Sequence, residues 1–191
     1  SGTGASPTIS FTPSADYNGS DSFDIQVSDG NGGTDSDTVS VTVNAVNDAP
    51  SFSKGANQTV DEDSGAQTVS GWATGLSEGP ANESSQSITF NLNNNNTDLF
   101  SSQPAISSDG TLTYTTATDA VGSANVTVTL SDSGGTANGG VDTSLSQTFT
   151  ISVTEVNDAL VITGQTEVST AEETAILIDI DSLTVSDPDN D

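Results

Sequence analysis

The sequence lacks the residues on which most catalytic and nucleic-acid-binding sites depend. Its 191 residues include no Cys, His or Met, and Lys plus Arg number one against 27 Asp plus Glu. Without Cys there is no disulfide, thiol nucleophile or thiolate metal site, and without His the usual general base is missing. The formal net charge of −26 leaves no cationic surface for phosphate backbones or anionic lipids. We therefore predict no enzyme activity and no nucleic-acid partner.

Apolar residues are also scarce, at 31% hydrophobic and 5% aromatic. No apolar run approaches the roughly 20 residues of a membrane helix, so we predict no membrane insertion in this segment. Low hydrophobicity with high net charge lies near the composition of disordered chains. Asp outnumbers Glu by 20 to 7, and hard carboxylate oxygens favour a hard cation such as Ca²⁺.

The hydrophobic pattern has a period of two residues, which predicts half-buried β-strands. Turn-forming residues separate the alternating segments, and Asp109-Gly110 in particular predicts a hairpin. No segment has a helical period. These observations predict an all-β protein built as a β-sandwich. The predicted strands cover residues 23–27, 39–43, 88–92, 112–114, 126–130 and 149–153.

The chain repeats internally with a period near 110 residues. Val46-Asn47-Asp48-Ala49 recurs 110 residues later as Val156-Asn157-Asp158-Ala159, whereas Ser28-Asp29 recurs 103 residues later as Ser131-Asp132. The difference implies seven additional residues in the second copy, within the Gly-rich loop 134–146. We therefore predict tandem repeats: the C-terminal part of one repeat at 1–48, a complete repeat at 49–158, and the N-terminal part of the next at 159–191.

These motifs resemble the cadherin-like, Ig-like tandem repeats of giant bacterial RTX-type adhesins and other long extracellular surface proteins. The resemblance covers essentially the whole chain. It rests on Asp16-Tyr17-Asn18-Gly19-Ser20-Asp21-Ser22-Phe23, Val27-Ser28-Asp29-Gly30-Asn31-Gly32-Gly33, Val43-Asn44-Ala45-Val46-Asn47-Asp48-Ala49-Pro50, Gly71-Trp72-Ala73-Thr74, Gly79-Pro80-Ala81-Asn82-Glu83 and Gly134-Gly135-Thr136-Ala137-Asn138-Gly139-Gly140-Val141-Asp142.

The resemblance implies Ca²⁺ in or near the joints between repeats, where side-chain and backbone oxygens would bridge two sandwiches. Matching the linker motif predicts ligands at the first joint from Asn47 and Asp48, approached by Glu62 and Asp63 of the following repeat. At the second joint it predicts Asn157 and Asp158, approached by Glu172 and Glu173. The acidic loop that opens a repeat adds Asp187 and Asp189, and the corresponding loop of the middle repeat adds Glu83. For each of these residues the alternative is a turn or a solvated acidic surface.

The sequence thus predicts a Ca²⁺-stiffened structural or adhesive stalk segment that is secreted or displayed on the cell surface. The expected partners are neighbouring repeats of the same chain or identical chains, with a cell-surface glycan or protein as a further partner. Two alternatives remain: a self-assembling subunit of an extracellular filament or surface layer, and a glycan-binding module that uses Trp72 and the loop 134–146.

Overall fold

The computed structural model describes residues 8–177, 183–187 and 189. Within them the chain forms thirteen strands and three single-turn 3₁₀ helices. The strands are β1 (Gly19–Ser28), β2 (Thr34–Val43), β3 (Ser51–Ser53), β4 (Gln58–Asp61), β5 (Ala66–Val69), β6 (Thr74–Ser77), β7 (Ile88–Asn94), β8 (Phe100–Ile106), β9 (Leu112–Thr116), β10 (Gly122–Asp132), β11 (Gln147–Thr154), β12 (Val161–Gln165) and β13 (Leu183–Ser186). The 3₁₀ turns are Ala81–Glu83, Thr97–Leu99 and Ala137–Gly139. The predicted all-β class is confirmed.

The alternation of apolar and polar residues places the longer strands of the core. In β10 the side chains of Ala124, Val126, Val128 and Leu130 are fully buried, and their neighbours along the strand are more exposed. Successive side chains of a strand point to opposite faces, so one face of β10 belongs to the core. All six predicted strands lie within observed ones, and the other seven described strands, β3, β4, β5, β6, β8, β12 and β13, were not predicted.

The described strands form five sheets. The largest has the order β4-β11-β10-β7, and a three-stranded sheet has the order β5-β9-β8. The pairs β1-β2, β3-β6 and β12-β13 make two-stranded sheets. Most of the pairs whose register is defined are antiparallel, but β4 runs parallel to β11, with Gln58 opposite Ile151 and Asp61 opposite Thr154.

The chain divides into two compact units. The first comprises Ser1–Ser53, Gly75–Asn91 and Thr129–Ser146. In it the rings of Phe52 and Phe90 meet edge to face at 5.2 Å, and Phe11 stacks on Phe23 at 6.3 Å. The first linker and the long loop after β10, both described below, belong to this unit.

The second unit comprises Lys54–Thr74, Leu92–Val128 and Gln147–Asp191. Its core holds Trp72 against Phe149, with ring centroids 4.4 Å apart, and Phe100 edge-on to Tyr114 at 6.1 Å. The predicted Asp109-Gly110 hairpin joins β8 to β9 in this unit. Gly110 has a φ of 85°, and Asp109 Oδ1 accepts hydrogen bonds from Ser107 Oγ and Thr111 N.

Candidate metal centre

The two copies of Val-Asn-Asp-Ala lie in two extended connections. We call residues 44–50, between β2 and β3, the first linker, and residues 155–160, between β11 and β12, the second linker. Each linker lies within one of the compact units, the first linker in the first unit and the second linker in the second. Both sit beside acidic loops, but their surroundings differ.

The parallel pairing of β4 with β11 decides where Glu62 and Asp63 lie. Because the two strands run in the same direction, the end of β4 lies next to the end of β11, where the second linker begins. Glu62 N donates to Thr154 O at 2.9 Å, and Glu62 Oε1 accepts from Val156 N at 2.8 Å. The prediction that Glu62 and Asp63 approach the first linker is therefore wrong: strand β4 carries them to the second.

Three carboxylates converge at the second linker. Single oxygens of Asp63, Asp119 and Asp158 all lie within 4.8 Å of one another. We call this group the acidic cluster. Asp63 follows β4, Asp119 lies between β9 and β10, and Asp158 comes from the linker itself. Three separate segments of the second unit therefore deliver one oxygen ligand each to a single place, an arrangement suited to a hard cation.

Charge sets the acidic cluster apart from ordinary surface acids. The left-handed backbones of Asp63 and Asp119, with φ of 52° and 53°, do not, because the exposed turn residue Glu173 has the same conformation. Partial desolvation raises the pKa of Asp119, and the negative charges of Asp63, Asp158 and Glu62 raise it further. The arrangement therefore disfavours full ionisation of Asp119, which is the electrostatic situation that a bound cation would relieve.

The other acidic residues that were predicted as metal ligands at the second linker differ in their contacts with it. Asp158 N donates to Asp189 Oδ2 at 2.6 Å, and Asp189 N donates to Asp187 Oδ1 at 3.3 Å. Asp189 therefore contacts the second linker through one hydrogen bond to its carboxylate. Glu172 and Glu173 form an exposed turn, and neither belongs to the acidic cluster.

Asn157 of the second linker is exposed, and its Nδ2 donates to the adjacent Asp158 O at 2.7 Å. This contact is local, between neighbouring residues of the linker. The environment of Asn157 therefore differs from that of Asn47, its counterpart in the first linker.

The first linker contacts Glu83 in the same way as the second contacts Asp189. Asp48 N donates to Glu83 Oε1 at 3.0 Å. Glu83 is only 5% exposed, and its Oε2 is buried without a hydrogen-bond partner. The sequence predicts that the loop containing Glu83 corresponds to the loop that carries Asp187 and Asp189. In both cases a carboxylate of the loop accepts a hydrogen bond from the backbone N–H of the linker aspartate.

A surface pocket also borders the first linker. Its lining includes Asp16, Asn18, Asp48 and Asn82. Four oxygen-bearing side chains therefore surround this pocket. Among the described residues, however, the first linker has no group of three carboxylates as close together as those of the acidic cluster.

Asn47 is almost fully buried, at 9% exposed, and its side chain is already hydrogen-bonded. Its Nδ2 donates to Asp132 Oδ1 at 2.9 Å and to Val141 O at 2.7 Å, and its Oδ1 accepts from Gln86 Nε2 at 2.7 Å. Asn47 thus forms part of an amide network, and its predicted role as a metal ligand stays a prediction.

Sequence reasoning missed Asp119 and its counterpart Asp16. Residues 7–29 align with 110–132 at the offset of 103, which pairs Asp16 with Asp119 and Gly19 with Gly122. Both aspartates have left-handed backbones, with φ of 59° and 53°. The repeat offset, extended upstream of the Ser-Asp motif, would have found both residues.

Trp72 belongs to the core of the second unit. It is 4% exposed, packs against Phe149, and donates from Nε1 to Ala56 O at 2.9 Å. Its indole is therefore not available for stacking on a sugar, as the glycan-binding alternative required.

Within the described parts of the chain, no helix is long and apolar enough to cross a bilayer. The described residues define an all-β fold with acidic connections between its sheets. Residues 1–42 match the family model described as a bacterial Ig domain. The predicted resemblance to Ig-like repeats is confirmed by this match, which covers less than half of the chain.

Among solved structures, the chain is similar to the crystal structure of the protocadherin gammaB4 extracellular domain. The TM-score is 0.37 at 13% identity, over 90% of this chain. The chain spans 29% of that protein's length. No curated protein sequence matches this one.

Proposed function

We propose that this chain is a Ca²⁺-stabilised structural segment of a long extracellular bacterial protein of the adhesin or surface-filament kind. The acidic cluster carries the proposal. Asp63, Asp119 and Asp158 come from separate segments, and their oxygens lie within 4.8 Å of one another. Like charges held this close destabilise a fold unless something neutralises them, and the chain has one Lys or Arg in total.

The chemistry of the donors favours Ca²⁺ over other cations. Ca²⁺ takes six to eight oxygens from carboxylates, carbonyls and water in flexible geometry, whereas Mg²⁺ demands a tight octahedron and keeps much of its water. The acidic cluster offers three carboxylates beside an extended linker. Zinc and copper sites use imidazole or thiolate, and the sequence has neither His nor Cys.

Cation binding would stiffen the linkers. Without a cation, the repulsion among the three carboxylates opposes docking of the second linker on the loops that follow β4 and β9. With a cation, Asp158 is tied to Asp63 and Asp119, and the binding free energy adds to folding stability. At the first linker, the unpartnered Oε2 of buried Glu83 supports a second, weaker cation site.

This role is mechanical and suits an extracellular setting. Sites in extracellular modules bind Ca²⁺ with dissociation constants of about 0.1–1 mM, far above cytosolic levels. The acidic residues at the linkers would serve to hold segments in a fixed arrangement, and we propose no catalytic role for them.

A calcium titration followed by heat unfolding tests the proposal. In ~0.15 M NaCl, millimolar Ca²⁺ should raise the melting temperature by several degrees, and equal Mg²⁺ should do much less. Asp119→Asn should remove most of the rise. Asp37→Asn is the matched control, because it removes one exposed carboxylate from β2, away from the linkers. A melting temperature that does not respond to Ca²⁺, or an equal loss in both variants, would reject the cation site.

A second candidate function is self-association through the two-stranded sheets. In β12 and β13 the side chains of Val161, Ile162 and Val185 are about half exposed or more. Two-stranded sheets have unpaired edges and are marginal alone. Partner strands could come from neighbouring repeats or from identical chains. Sedimentation at increasing protein concentration tests this, since growth in mass would favour identical chains and a constant monomer mass would exclude them.

A further inference from the structure

The loop between β10 and β11, residues 133–146, wraps around the first linker. Val141 N donates to Asn47 O at 2.9 Å, and Asn47 Nδ2 donates back to Val141 O at 2.7 Å. Asn138 Nδ2 donates to Ala45 O at 3.0 Å. We propose that this loop is a clamp that holds the first linker in place through its own hydrogen bonds, whether or not the weaker site beside Glu83 holds a cation. Asn47 is its central positioning residue.

Each polar atom of the Asn47 side chain is hydrogen-bonded, although Gln86 Oε1 and Asp132 Oδ2 of its partners are buried without a bond. The two N–H groups of Asn47 meet Asp132 Oδ1 and Val141 O, and its oxygen accepts from Gln86 Nε2. A buried amide with every polar atom paired rigidifies its surroundings, because any alternative position would leave those groups unsatisfied. Three groups of the first unit, on Asp132, Val141 and Gln86, therefore hold the linker at Asn47.

Two glycines of the loop are explained by the linker that they contact. A Cβ added at Gly134 would lie 1.7 Å from Asn47 Oδ1, and one added at Gly140 would lie 2.8 Å from Asn47 N. Gly140 has an ordinary φ of −64°, and Gly134 is also outside the left-handed region. Backbone conformation therefore requires glycine at neither position. Both lack a side chain because the linker occupies the space.

The corresponding turn of the first repeat makes no such clamp. Asp29 Oδ1 accepts from Asn31 N at 2.8 Å and Gly33 N at 2.9 Å, so it serves its own turn. The equivalent Asp132 Oδ1 accepts from Gly134 N and also reaches Asn47 Nδ2, both at 2.9 Å. The additional residues of the second copy thus supply the segment that closes over the linker.

Amide hydrogen exchange of the full chain in excess chelator tests the clamp directly. The Val141 amide, which donates to Asn47 O, should exchange at least about tenfold more slowly than an exposed amide. Asn47→Asp should abolish that protection, because a carboxylate would then face the acceptors Asp132 Oδ1 and Val141 O. Asn157→Asp is the matched control in the second linker and should leave the Val141 amide protected.

Asn47→Asp also separates a clamp from a metal ligand. A carboxylate at this position would preserve or strengthen cation binding, so a ligand role predicts unchanged or tighter Ca²⁺ affinity with protection restored by Ca²⁺. The clamp predicts that protection is lost in chelator and stays lost when Ca²⁺ is added.

Two further variants test whether faster exchange reflects loss of the clamp and not misfolding of the whole protein. Asn138→Ala removes a single bond and should raise exchange at the linker only modestly, whereas Gly134→Ala should raise it strongly. Rapid exchange of Val141 in the chelated wild type, with the β10 and β11 amides still protected, would overturn the clamp. So would full protection in Asn47→Asp. Neither result depends on whether the acidic cluster binds Ca²⁺.

Discussion

The two linkers share the sequence Val-Asn-Asp-Ala, yet they are held by different physical means. In the first, Asn47 is buried in a network of neutral amides and one carboxylate, and a long loop closes over the backbone. In the second, Asn157 is exposed and the neighbouring Asp158 faces two other carboxylates. The comparison teaches that a linker motif determines which polar groups are offered, while the loops packed beside it decide which groups they meet.

The largest expected difference between the linkers is their dependence on Ca²⁺. Asp158→Asn removes one of the three charges of the acidic cluster and should abolish most of the stabilisation by Ca²⁺. That stabilisation is about 2.7 kcal/mol at a free concentration one hundred times the dissociation constant. Asp48→Asn, its counterpart in the first linker, should retain most of it. Calorimetric unfolding with and without Ca²⁺ measures both.

The comparison fails if the two substitutions reduce the Ca²⁺ response equally. That result would mean that both linkers bind Ca²⁺ with similar strength. The clamp would then act together with a cation rather than in place of one.

A smaller effect is expected from Tyr114, which aligns with Phe11 at the offset of 103. Tyr114 is 2% exposed, its hydroxyl is buried without a partner, and desolvation raises its pKa. Tyr114→Phe should stabilise the fold by up to about 1 kcal/mol, because it removes an unsatisfied polar group and keeps the ring. Urea unfolding measures the change.

Phe11→Tyr is the matched exchange at the aligned position 103 residues upstream. Phe11 is 40% exposed, so an added hydroxyl can reach water and should leave stability nearly unchanged. Destabilisation by Tyr114→Phe would show that the hydroxyl has a partner, such as a bound water.

The smallest effect concerns pH, because Asp119 is exposed. Its pKa is raised in the folded state, first by desolvation and then by Asp63, Asp158 and Glu62. The folded chain therefore holds this proton to higher pH than the unfolded chain does. Its contribution favours folding below the ordinary Asp pKa of 3.8 and is lost as the pH rises through the raised value.

In chelator, Asp119→Asn should accordingly gain stability relative to the wild type as the pH rises from about 4 to 7. The difference between the two unfolding curves isolates this residue from the other carboxylates. A difference that does not change with pH would show that the neighbouring acids do not influence Asp119.

Strand prediction succeeded where apolar and polar residues alternate over several positions, as in Val126, Val128 and Leu130 of β10. It failed for β4, whose sequence Gln-Thr-Val-Asp offers one apolar residue. That strand forms because its backbone pairs with β11, and such pairing leaves little trace in a short polar segment. The missed strand led directly to the wrong placement of Glu62 and Asp63.

The candidate ligands divide in the same way, into residues that a sequence pattern predicts and residues that only tertiary contacts identify. Asp48, Asp158, Asp63 and Glu83 were predicted from motifs that repeat or lie near repeats. Asp119 was missed because an isolated aspartate between two strands looks like any turn residue. Only its contact with Asp63 and Asp158 distinguishes it, and those three residues are distant in sequence.

The sequence by itself determined the all-β class, the repeated linker motif and the excess of acidic oxygen ligands, because periodicity, repetition and composition are local or summed properties. The tertiary structure alone decided which acids meet. Parallel pairing of β4 with β11 carried Glu62 and Asp63 to the second linker, and the packing of loop 133–146 buried Asn47. Both outcomes depend on contacts between residues far apart in the chain, and no local pattern encodes them.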